Sequence, residues 1–397
     1  MYNIHSHYET LYNHLRTVVT DPRILYLYPY GATQPENLEI LANNGVLWLG
    51  DRGPMFVFYD QEPLYGEYNW KLFEHIEQNY MAPFILITTE KNSEMVEEFQ
   101  RRFNWPVVYY FHHIFAAHDW FRGHRYDTTL IAPNQRKLEK KFITFNRLTS
   151  SKRVYRSLFI AELISRDLLK DGYVSYDHIC PDNNKNYVQN LKDAFDEGLI
   201  SDSKMIEVAG KIAQAQLPLR IDYADQHFIP SNGFVLGPSK FTQASFCYVV
   251  TETCFWERKC HLTEKIFKPI VSRMPFVLVG PAHNLEYIKS YGFKTFDRWW
   301  DESYDSIEDP IERIDAICKV LEKITSYSIE ELEQLLIEMQ EVLDYNYELF
   351  YSTKFLDDAW KEMTDNLLVA AKQFPPVNPE LEKVLLKISE QIQNRTT

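Results

Sequence analysis

Short apolar runs, rich in β-branched and aromatic residues, recur along the first third of the chain. Arg23–Tyr28, Phe56–Tyr59, Phe84–Thr88 and Val107–Phe111 predict strands. The segments between them carry apolar residues at helical spacing and predict helices over Asn37–Asn43, Lys71–Asn79 and Ser93–Phe103. Asn92 and Ser93 offer caps for the last of these, with Glu94, Glu97 and Glu98 in its first turns. Strand and helix in alternation imply a mostly parallel sheet covered on both faces.

A polar, basic stretch at about 124–140 separates this series from a second one. Strands are expected at Phe142–Phe145, Tyr173–Tyr176, Phe246–Thr251 and Phe276–Val279. Helices are expected near Tyr155–Leu169, Asn184–Phe195, Glu264–Arg273 and Asn284–Tyr291. Beyond Pro310 the chain is acidic, with Leu321, Leu332, Leu335, Leu336 and Leu343 at helical spacing. The stretch 200–240 has no readable periodicity, and Pro218, Pro230 and Pro238 mark loops in it. The expectation is an α/β chain of two doubly wound, Rossmann-like domains facing each other across a cleft, with C-terminal helices. The bounds are 1–130, 140–350 and a helical extension over 351–397. Ligands of such sheets bind outside the carboxyl ends of the strands. Glu62, Arg147, Glu252 and Gly280 follow predicted strands there.

The 397 residues suffice for two domains, and 45% hydrophobic with 25% charged residues is a globular composition. A net charge of −14 argues against a protein that coats nucleic acid nonspecifically. Locally the balance reverses: Arg136, Lys137, Lys140, Lys141, Arg147, Lys152, Arg153 and Arg156 face only Glu139. This run reads either as a solvated charged segment or as an anion funnel beside a strand end. Cys180, Cys247, Cys254, Cys260 and Cys318 are odd in number and form no Cys-x-x-Cys, so neither a disulfide framework nor a zinc ribbon is indicated. A reducing, cytoplasmic setting is expected, with no signal peptide and no membrane span.

The segment 261–281 carries the densest chemistry. Thr263, Glu264 and Lys265 are expected where a helix begins beside a parallel-sheet edge, a place that favours a phosphate. Lys265 supplies a point charge and Glu264 can accept hydrogen bonds from ribose hydroxyls. Thr263 also reads as a plain N-cap, with Glu264 favouring the helix dipole. That simpler reading leaves Lys265 unexplained, because a cation in a first helical turn is unfavourable without an anion. In the first half, Asp60 and Glu62 end the Phe56–Tyr59 run and are candidate catalytic carboxylates. Glu62 is the leading candidate for general base, and its alternative is a cap on the turn at Pro63.

Three stretches resemble the α1,3/4-fucosyltransferases. Glu252 after an apolar strand, then His261-Leu-Thr-Glu-Lys265, then Pro275-Phe-Val-Leu-Val-Gly280, is similar to that family's donor-binding signature. Lys140-Lys-Phe-Ile-Thr-Phe145, the basic segment and Arg156-Ser-Leu-Phe resemble its Lys-Phe strand, loop and helix-opening Arg. Phe58-Tyr-Asp-Gln-Glu-Pro63 sits where the family carries its catalytic carboxylate. Tyr109–Trp120 is similar to glycosyltransferases encoded by tailed phages. His112, His113 and His118 lie near a strand end and are candidates for lining an acceptor side, with a structural role the alternative for at least two of them. The resemblance implies a GT-B fold and inverting, metal-independent transfer from a nucleotide-diphosphate sugar, with no further cofactor. It implies donor binding by Arg147, Arg153, Arg156, Glu252, His261, Thr263, Glu264 and Lys265. The acceptor is a glycan hydroxyl or a hydroxymethylated base of DNA, and the location is the host cytoplasm if the chain is phage-encoded. His261 replaces the family's Tyr and Thr253 its Asn, so neither sugar nor base of the donor follows. The absence of Asp-x-Asp from the sequence agrees with metal independence. The competing reading is a non-catalytic nucleotide- or glycan-binding protein on the same fold. A phosphoryl transferase is weaker, since no Walker loop or kinase signature is present.

Overall fold

The computed structural model describes residues 23–27, 46–48, 54–64, 66–80, 83–127, 130–221 and 239–371. Among the described residues nine strands form two sheets: β1 Arg23–Tyr26, β2 Val46–Trp48, β3 Met55–Tyr59, β4 Phe84–Thr88, β5 Val107–Tyr109, β6 Lys140–Asn146, β7 Gly172–Tyr176, β8 Ser245–Thr251 and β9 Phe276–Val279. The chain divides into two compact units. One comprises Met1–Asp119, Lys259–His261 and Ser352–Thr397; the other comprises Trp120–Arg258 and Leu262–Tyr351.

The first unit holds a five-stranded sheet in the order β2-β1-β3-β4-β5. Pairs β1–β3, β3–β4 and β4–β5 are parallel, and β2 lies antiparallel to β1 at the edge. The sequence pattern shows no strand at β2. All five residues of β3 and of β4 are buried, as expected for strands covered on both faces. Helices Glu67–Asn79 and Glu94–Phe103 pack Phe73 against Phe99 at 4.9 Å, and beside them Phe84 of β4 stacks on Trp105 at 4.5 Å. Each such side chain contributes roughly 1.5–3 kcal/mol by leaving water. Ser93 serves as the N-cap, so the helix begins one residue later than expected, and left-handed Asn104 ends it. The helix Thr353–Ala371 belongs to this unit, with Asn366 donating to the Tyr109 carbonyl at 2.8 Å.

The second unit holds four parallel strands in the order β7-β6-β8-β9. Gly172 opens β7 opposite Phe142, whose ring stands within 2.4 Å of where a Cβ would be. Helix Tyr155–Ser165 is buried over most of its length. It stops short of the expected Leu169 because Arg166 closes it and Asp167 turns left-handed. Helix Tyr187–Asp196 starts after Asn186, which makes a capping box with Gln189. Helix Asp202–Ile212, capped by Ser201, occupies part of the stretch that shows no periodicity in the sequence. Helices Pro310–Ser326 and Ile329–Phe350 complete the unit. The expected helix at 37–43 lies outside the described residues. Both units are α/β with parallel strands, compatible with a Rossmann-like fold. Among the described residues no helix is long and apolar enough to cross a membrane.

Candidate functional site

In the second unit the carboxyl edge of β8 runs straight into Glu252, which is fully buried. A buried carboxylate must find donors, and three are supplied. Thr263 donates twice, from its backbone N–H to Oε1 at 3.2 Å and from its hydroxyl to Oε2 at 2.6 Å. The Thr253 N–H reaches Oε2 at 3.2 Å. Burial pushes the Glu252 pKa up, and Lys265 and Thr263 counter that rise.

Thr263 is also the N-cap of a 3-10 turn over Glu264–Ile266, which runs into the helix Phe267–Val271. The expected helix over Glu264–Arg273 is thus a tight turn plus a short helix, ended by left-handed Arg273. Lys265 is partly exposed, and its ammonium donates to Thr253 Oγ1 at 2.9 Å and Thr263 Oγ1 at 3.0 Å. Glu264 Oε1 stands 3.5 Å away. Glu252, Thr253, Thr263, Glu264 and Lys265 therefore form one connected cluster. Both the capping role and the cation in the first turn are present together.

Arg156 approaches the cluster from behind. Its guanidinium donates to the carbonyls of Leu148, Thr251 and Glu252 at 2.9–3.1 Å and to the Tyr155 hydroxyl at 3.3 Å. Four of the five N–H groups of an arginine are thereby engaged. The Tyr155 hydroxyl in turn donates to the Glu252 carbonyl, and its ring stacks on Phe255 at 4.4 Å. Arg156 thus fastens the ends of β6 and β8. Arg313, which no sequence motif marks, does the same on the other side. It donates to the carbonyls of Gly280, Ile307, Glu308 and Phe255, and its guanidinium lies 4.5 Å over the Phe255 ring. Burial lowers its pKa to about 10. Lys268 is the second residue that the motifs leave unmarked, buried on the helix that follows Lys265.

The basic run of the sequence is not one patch. Strand β6 separates its two ends by seven residues, about 20 Å of extended chain. At the amino end Arg136 is buried and donates to the carbonyls of Ile131, Ser272 and Arg273. Lys140 and Lys141 bind the carbonyls of Lys170 and Thr325 there. Only Arg147, Lys152, Arg153 and Arg156 lie past the carboxyl end, where Lys152 pairs with Glu257. Arg147 follows β6 directly and Arg153 sits in the turn Ser151–Val154; both are half-buried.

In the first unit, Asp60 follows β3 and is buried, whereas Glu62 is half-buried. The Tyr110 hydroxyl donates to Asp60 Oδ2 and lies 2.9 Å from His112 Nδ1. His112 Nδ1 is 3.6 Å from the same carboxylate oxygen. Burial lowers the His112 pKa, partly offset by Asp60. Beyond Glu62, the Leu64 N–H donates to Glu90 Oε1 at 2.5 Å, and buried Lys259 bridges Glu90 at 3.0 Å and the Leu64 carbonyl at 3.3 Å. The loop carrying Glu62 is thus fixed on both sides. Lys259–His261 is counted with this unit; Cys260 pairs antiparallel with Lys91, and the His261 ring meets His113 edge-on at 5.6 Å. His261 is therefore assigned to a different unit from Thr263, Glu264 and Lys265.

Among the described residues no group of three His, Cys, Asp or Glu side chains is placed to hold a metal ion. No protein-family model, curated protein or solved structure matches this chain.

Proposed function

We propose that this chain is a glycosyltransferase that moves a sugar from a nucleotide-diphosphate donor to an acceptor hydroxyl. The observation that carries the reading is the Glu252–Thr263–Lys265 cluster at the carboxyl edge of a parallel sheet. Edges of this kind are where such sheets bind ligands. Lys265, partly exposed, is held there by two hydroxyls and by its neighbour Glu264, which supports a cation at this edge. The sequence resemblance to the fucosyltransferases falls on the same residues.

In the finer form of this reading the chain is a GT-B enzyme and inverts the anomeric centre. The second unit binds the donor through Lys265, with Glu264 toward the ribose. Arg156, committed to carbonyls, positions the edge and leaves neutralisation of the departing diphosphate mainly to lysine. Asp60 or Glu62 of the first unit takes the proton from the acceptor hydroxyl. Transfer then proceeds with the diphosphate as leaving group and needs no metal bridge. The acceptor is a glycan hydroxyl or a hydroxymethylated base.

The test is a thermal-shift panel of UDP, GDP, dTDP, CMP and their sugars. One nucleotide and its sugar should raise the melting midpoint in a concentration-dependent way, since a ligand that binds only the folded state stabilises it by mass action. A panel without any shift would remove the reading.

A further inference from the structure

We propose that His112, His113 and His261 form an acid-operated latch, which holds the segment Lys259–His261 on the first unit at neutral pH and releases it in mild acid. Each residue of the segment is docked. Lys259, 2% exposed, bonds Glu90 and the Leu64 carbonyl at 3.0 and 3.3 Å. Cys260 and Lys91 exchange backbone hydrogen bonds of 2.8 and 3.1 Å. The fully buried His261 ring meets His113 edge-on at 5.6 Å, and His113 meets His112 edge-on at 5.3 Å. Three imidazoles thus stand in one buried row, with the segment's own histidine at its end. Thr263, which holds Glu252 and Lys265, follows His261 by two residues. The latch therefore fixes the chain that leads into that turn.

Histidine is the side chain whose ordinary pKa, near 6.5, lies in the mildly acidic range. Withdrawal from water disfavours its charged form, and burial lowers the pKa of His112. A docked row that resists charging and a released segment that takes up a proton near the ordinary value make acid favour release. Docking is fully present above pH 6.5 and is lost below it. The charged and titratable groups on the surrounding elements include Asp60 and Glu62 after β3, Glu90 and Lys91 after β4, and Tyr110 after β5. Helix His112–Phe121 adds His118 and Asp119, helix Thr353–Ala371 adds Glu362, and the segment itself carries Lys259 and Cys260. Glu90 is engaged by Lys259, and Glu362 by Lys91. Asp60 accepts from the Tyr110 hydroxyl, which lies 2.9 Å from His112 Nδ1, so it can balance a charge at the His112 end of the row. His261 stands at the other end, two residues from Lys259, and a proton there puts a second cation on the segment.

Labelling of Cys260 in the full chain with 4,4′-dithiodipyridine, which reacts with thiols in mild acid, tests this. Rates at pH 7.5 and 5.5 are taken relative to the urea-unfolded chain at the same pH, and labelled cysteines are located by mass spectrometry. One histidine kept neutral only while docked favours release about tenfold one pH unit below 6.5. Cys260 should therefore label about tenfold faster at pH 5.5 than at 7.5. Cys247 and Cys318, fully buried in the second unit, should stay protected at both. His261→Phe keeps a ring in the row without a proton site and should abolish the response, as should His261→Gln. Should both variants label fast already at pH 7.5, imidazole C2-hydrogen exchange in the parent, read by mass spectrometry, decides instead. His261 should then take up its proton over the same pH interval in which Cys260 becomes reactive, and two separate intervals overturn the inference. A parent-like pH response in His261→Phe or His261→Gln, an unchanged Cys260 rate in the parent, or labelling of Cys247 and Cys318 together with Cys260 overturns it as well. No nucleotide enters the experiment, so its outcome is separate from that of the glycosyltransferase reading.

Discussion

Thr263 holds the Glu252 carboxylate twice, through its backbone N–H at 3.2 Å and its hydroxyl at 2.6 Å. The same hydroxyl accepts from Lys265 at 3.0 Å. One threonine thus couples a buried acid to a partly exposed base. Thr263→Val keeps the shape and the backbone bond but removes the hydroxyl. It should cost about 1–3 kcal/mol in urea unfolding, since a buried charge loses a donor. Thr263→Ser should stay near the parent.

Lys265→Ala should leave the unfolding midpoint within about 0.5 kcal/mol of the parent, because the side chain is partly exposed and its partners are hydroxyls that water can replace. Donor binding should weaken, and transfer should fall on the order of 10²–10³, the usual loss on removing one electrostatic stabiliser. Titration with the nucleotide found in the thermal-shift panel decides it.

Asp60 and Glu62 separate by burial. Asp60→Asn disturbs the bond from Tyr110 and should lower stability by about 1–3 kcal/mol. Glu62 is half-buried, so Glu62→Gln should fold like the parent. If Glu62 is the base, Glu62→Gln binds donor normally and loses roughly 10²–10⁴ in transfer rate. Full turnover by Glu62→Gln, with Asp60→Asn folded and inactive, assigns the base to Asp60.

His112 predicts an acid-sensitive fold. Its folded pKa lies below the usual 6.5, so the unfolded chain binds more protons as pH falls through that value. The contribution of His112 is fully present above pH 6.5 and is lost as pH drops toward its lowered folded pKa. Urea midpoints at pH 7.5 and 5.5 should differ more in the parent than in His112→Gln. Equal differences in the two proteins would remove His112 as a cause.

Arg313→Met should be the most damaging of these changes. It strips donors from the carbonyls of Gly280, Ile307, Glu308 and Phe255 and should cost at least about 3 kcal/mol. Circular dichroism during thermal unfolding should show a clear drop in midpoint.

The strands were legible where burial is continuous. β3, β4, β8 and β9 are unbroken apolar runs closed by polar residues, so both their extent and the residues leaving their carboxyl ends could be read. The same strand ends mark Asp60 and Glu252 as residues that leave the sheet at its carboxyl edge. Contacts between distant residues left no local trace. Arg313 meets Phe255 across 58 residues, and Lys259 meets Glu90 across 169. Lys268 reads as an ordinary helix lysine until its burial is seen. The basic run shows the opposite case: its residues are close in sequence, but the extended geometry of β6 parts its ends. Helix Asp202–Ile212 went unread because the prolines after it dominate the surrounding composition.

The helix Thr353–Ala371, which binds the end of β5 through Asn366, is made after all the described strands. A ribosome working at about 5–20 residues per second would deliver it roughly 10–50 s after β5. The second unit's strands and the helices through Phe350 emerge in that interval. Synthesis order and completion order are therefore reversed. The amino-terminal sheet waits for its cover, with the apolar surface around Phe115, which Trp360 later meets at 5.0 Å, open to chaperones in the meantime.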